Sequence, residues 1–102
     1  MQQMFTQEQL EHIRDQAMIF QCACPAQLCV TLDAIQKLHQ IQLQCMDATE
    51  TDRAVHERIR ESSEKTHAEL EQCLKDILIM EGWDMETLEM PDDLKKQLIK
   101  QL

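Results

Sequence analysis

The sequence predicts an all-α protein, an antiparallel helical bundle of three main helices plus a short C-terminal helix, and three observations carry that prediction. One Gly and two Pro among 102 residues are too few for the turn density of an all-β fold. Apolar residues recur at three- and four-residue spacing along three long segments, and no alternating run of strand length interrupts them. Each segment also begins or ends on a residue suited to a helix terminus. With 43% hydrophobic and 28% charged residues, the whole chain, 1–102, reads as a single domain able to bury about two thirds of its unfolded surface.

Helix one is expected from about 7 to 22. Thr6 and Gln9 have the spacing of a capping box, and Leu10, Ile13, Ala17, Phe20 and Cys24 follow at helical intervals. Pro25 disfavours helical geometry at Cys24 yet suits the first turn of a helix, so Cys22-Ala23-Cys24 reads as a tight connection into helix two. That helix should reach about Met46 with two apolar stripes. Leu28, Leu32, Ile35, His39, Gln42 and Met46 form one, and Val30, Ala34, Leu38, Ile41 and Cys45 the other, which implies two neighbours.

A polar stretch, Asp47 to Asp52, offers Thr49 or Thr51 as the cap of a third helix reaching about 81. Its apolar face is expected along Val55, Ile59, Ser62, Thr66, Leu70, Cys73, Ile77 and Met80. Gly82 should end it at positive φ, with Trp83 next. Asp84 can then cap a short turn over Met85–Glu89, and Pro91 opens the last helix, carrying Leu94, Leu98, Ile99 and Leu102.

The charge pattern removes several functions. A net charge of −9, distributed as −2 over 1–46, −5 over 47–82 and −2 over 83–102, repels nucleic acid and anionic bilayers. No window has the roughly 18 apolar residues of a membrane span, and the first residues lack the order of a signal peptide. A cytoplasmic protein is therefore expected, with no nucleic-acid and no membrane partner. In that compartment its five cysteines would be free, metal-bound or redox-active.

Cys22, Cys24 and Cys29 form C-x-C-x4-C, and a turn centred near residue 49 would set Cys73 level with residue 25. These four thiols are the candidate metal ligands, and zinc or an iron–sulfur cluster is the metal their softness suits. Against this, Cys29 projects about 100° from the main apolar face of helix two, toward Asp33, Gln36 and Gln40. Cys45 lies too far along the same helix to join them and reads as a small packing residue. Inert packing of all five is the competing expectation.

Of the histidines, His39 falls on an apolar stripe and is expected to bond a side chain on a neighbouring helix, whereas His56 and His67 share a side of helix three with Arg60, Ser63 and Glu64 and read as solvated. His12 completes a conceivable but less favoured mid-bundle histidine layer. Met80, Met85 and Met90 are expected to plug the space around Trp83. No carboxylate pair or Cys–His pair has catalytic geometry, so no enzyme is expected. The function anticipated is that of a small regulatory or adaptor protein acting through protein contacts, as a homodimer joined along Val30, Ala34 and Ile41. A thiol redox switch or electron-transfer protein is the alternative.

Overall fold

Three helices account for most of the chain: α1 at Gln7–Ile19, α2 at Ala23–Gln44 and α3 at Glu50–Glu81. The computed structural model describes residues 1–20 and 23–94. Cys22, Leu98, Ile99 and Leu102 lie outside the described residues, and of the last helix only 92–94 are described. The fold is all-α, with no strand among the described residues.

Local chemistry sets the boundaries. Thr6 Oγ1 accepts from the Gln9 amide at 3.1 Å while the Gln9 side chain accepts from the Thr6 amide at 2.9 Å, a reciprocal cap that starts α1. Thr49 Oγ1 accepts from the Asp52 amide at 3.0 Å and starts α3, with Glu50 and Asp52 in its first turn. At the far end Gly82 adopts φ 82°, the Gly82 amide donates to Ile79 and the Trp83 amide to Leu78. That pattern is a Schellman motif. Asp84 then accepts from the Glu86 and Thr87 amides and turns the chain back over the helix end. These bonds hold its carboxyl below the usual carboxylate range.

Helix α2 is the element on which both α1 and α3 pack. Gln36 meets His67 and His39 meets Glu64, so partners on α3 fall back toward its start as α2 advances. This register sets Cys73 level with about Val30, not Pro25, because the cap at Thr49 lets α3 start beyond the end of α2. Helix α1, with 13 residues against 22 and 32, covers only the part of α2 and α3 remote from their connection. There lies the apolar core of Phe5, Leu10, Ile13, Cys29, Leu32, Leu74, Leu78, Trp83, Leu88 and Met90. We call that end the base and the α2–α3 connection the tip. The molecule measures 58 × 22 × 17 Å and its radius of gyration is 16.8 Å, against about 13 Å for a compact chain of 100 residues.

The core faces differ from the expected ones in three places. On α3 the buried side runs through Ser63, His67, Glu71, Leu74 and Leu78, so His67 is fully buried and not solvated. On α2, Cys29 is buried against α1 and Gln36 against His67 of α3, so neither points outward. Around Trp83 only Met90 of the three methionines is buried, joined by Leu88, while Met80 is exposed. On α3 and at Gln36 the reason is that buried polar side chains with partners make a core face look hydrophilic in sequence.

Candidate functional site

Two regions carry chemistry beyond simple packing: a buried polar array at mid-molecule and an open apolar surface that runs to the tip. In the first, the Gln36 amide nitrogen lies 3.0 Å from His67 Nε2. An amide NH2 can only donate, which leaves Nε2 as acceptor and puts the ring proton on Nδ1. That nitrogen faces Glu71 Oε1 at 3.3 Å, outside hydrogen-bond geometry. Glu71 Oε2 accepts from the backbone amides of Met4 and Phe5 at 2.7 and 3.1 Å. Gln36, His67 and Glu71 are all buried, and the array ties both long helices to the N-terminal segment.

Electrostatics follow from that burial. Desolvation pushes the His67 pKa down, with Glu71 opposing in part and His39 and the N-terminal amine reinforcing. On the rim, His39 Nε2 lies 3.0 Å from Glu64 Oε1, as anticipated for a histidine bonded to a neighbouring helix. This contact holds the Glu64 carboxyl below its ordinary range. His12 pairs with Glu89 and His56 with Asp47, so the histidines form no common layer.

A similar polar clamp closes the base. The Gln16 side chain donates to the Leu88 carbonyl at 2.7 Å and accepts from the Met90 amide at 2.8 Å, pinning the chain after α3 onto α1. Leu88 is thereby held at φ 58°, a conformation that side chains rarely adopt. Sequence reading missed Gln16, Gln36 and Glu71, and their helical spacing from core residues was the one available signal, masked by their polarity.

The candidate thiols are spread out. Cys24 is exposed, Cys73 is half-buried, and Cys29 lies against α1 beside Arg14, where burial pushes its thiol up to about 12. Cys22 lies outside the described residues. Among the described residues no three His, Cys, Asp or Glu side chains converge as a metal site. Cys45, expected to pack inside, is exposed near the tip because α2 ends there without a cover.

The second region is the outward stripe of α2. Val30, Leu38 and Ile41 are 55%, 42% and 53% exposed, with Ala34 and Cys45 exposed between and beyond them. It borders an apolar groove of about 370 Å³ formed by Ile35 and Leu38 of α2 and Ile59, Ser62 and Thr66 of α3.

Comparison with protein families, curated proteins and solved structures yields no match. The geometry is thus the sole guide to function. No helix among the described residues is long and apolar enough to cross a membrane.

Proposed function

We propose that this chain is a non-enzymatic, cytoplasmic regulatory or adaptor protein that acts through protein contacts, its helices forming an antiparallel bundle of three with a short fourth at the C-terminus. The observation that carries the reading is the exposed apolar stripe Val30, Ala34, Leu38 and Ile41, continuous with the groove between α2 and α3. A contiguous apolar patch on a small protein marks an interaction surface more often than not. The two polar clamps, at Glu71 and Gln16, are spent on ordering the chain ends and present no reactive group to solvent. A homodimer is the simplest assembly that covers the stripe.

Sedimentation of the full chain at tens of micromolar tests this. Association that is lost in Ile41→Glu, with helicity by circular dichroism unchanged, is the expected result. A wild-type protein that is strictly monomeric at that concentration removes the homodimer. The thiol-switch alternative rests on the exposed Cys24 and Cys45. These stand at opposite ends of α2, about 30 Å apart at ~1.5 Å per residue, so no disulfide joins them within one chain.

A further inference from the structure

The start of α3, which outreaches α2, carries a guanidinium with no carboxylate partner among the described residues. Arg53 pairs with Asp47 and Glu50, and Arg60 with Glu57. Arg58 makes no ion pair among the described residues and donates to Ser62 Oγ. It stands between two adjoining apolar depressions, the groove described above and a second of about 520 Å³ lined by Thr51, Ala54, Val55 and Ile59, with Glu50 at its far edge.

We propose that the tip is the contact face of a homodimer in which two α3 helices cross head to tail about a two-fold axis at Ala54, each Arg58 pairing with Glu50 of the second copy. This rests on the self-association proposed above but places the seam on α3 past the end of α2, not along Val30, Ala34 and Ile41. Glu50 and Arg58 lie equally far in sequence on either side of Ala54. A two-fold axis there brings each opposite the other's counterpart, so both pairs form at once. The alanine methyl lets the two backbones approach closely, and Val55 flanks the axis. Glu50 is available, since its side chain is 88% exposed and its contact to Arg53 is long at 3.7 Å.

Met46, 90% exposed beside the α2–α3 connection, stands at the same end of the molecule. An acidic helix from another protein would satisfy Arg58 but be repelled by Glu50. The alternating charges about Ala54 favour a second copy of this chain.

The decisive experiment uses Glu50→Arg and Arg58→Glu in the full chain, followed by analytical ultracentrifugation at 10 to 100 µM. Each variant alone places like charges across both pairs and should weaken self-association by about tenfold or more. An equimolar mixture of the two should form a one-to-one heterodimer near wild-type strength, because both pairs are then complementary. A dimeric wild type whose variants remain dimeric alone and show no preference on mixing overturns the tip pairing while leaving the Ile41 reading intact. A monomeric wild type overturns both. Should either charge variant lose helicity, a photo-crosslinking residue at Ala54 answers instead. Crosslinks to residues 50–58 of another copy support the arrangement, and crosslinks elsewhere or none overturn it.

Discussion

Glu71 occupies a position where a carboxylate is costly unless fully bonded, and the Met4 and Phe5 amides supply what the buried oxygen needs. Glu71→Ala leaves both amides without their acceptor and removes the carboxylate that faces the His67 ring. We expect a loss of about 2–3 kcal/mol in urea denaturation, with faster amide exchange at Met4 and Phe5. His67 acts through pH. Its folded pKa lies below the ordinary 6.5, so as pH falls the unfolded chain binds the proton first. The stability it contributes is complete above about 6.5 and is lost as pH drops below that value. Melting temperature should therefore fall more steeply between pH 7 and 5 in the wild type than in His67→Gln, and equal slopes would refute this. Glu64 and Asp84 act in a separate window, their depressed pKa values supporting the fold above 4.5 and 3.8 and losing that effect in more acid solution.

Among the elements, α3 depends most on its ends. Thr49→Ala removes the acceptor of the Asp52 amide and should cost about 1 kcal/mol. Gly82→Ala places a side chain at φ 82°, where the nearest heavy atom to a new Cβ is Pro91 at 3.9 Å. Space is available there, so the expected loss of about 1 kcal/mol reflects backbone conformation alone. Denaturant midpoints measure both. These termini were legible in the sequence because a cap is a dialogue between residues three apart, as in Thr6 with Gln9. The stripe Val30, Ala34, Leu38, Ile41 was legible as surplus apolar surface for the same local reason. The buried side of α3 was hidden, since Ser63, His67 and Glu71 are hydrophilic by type, and their partners are the Arg60 carbonyl, Gln36 and the N-terminal amides. Cys29 and Gln36 were misjudged likewise, their covers being neighbouring helices whose placement no spacing within α2 reveals.

At the scale of the whole molecule, apolar burial and length are separated. The core occupies the base, where α1, α2 and α3 meet, while the tip is held by His39–Glu64, His56–Asp47 and the long helices themselves. Openings at the tip expose little apolar surface and should be frequent. Hydrogen exchange should show amides of 50–62 exchanging well before those of 70–78, a difference that a uniformly protected α3 would contradict. If the tip pairs with a second copy, raising protein concentration should protect 50–62 selectively.

The ties of the N-terminal segment also set an order of events during synthesis. Met4 and Phe5 are made before α1, yet the carboxylate that binds them belongs to Glu71, which is 67 and 66 residues later in the chain. Gln16 likewise waits for Leu88 and Met90. A nascent chain can pair α1 with α2 early, since those contacts are local, but it must carry Phe5 uncovered until most of α3 has left the ribosome. The interval in which that aromatic is available to a chaperone is therefore written into the distance between a backbone amide and its acceptor.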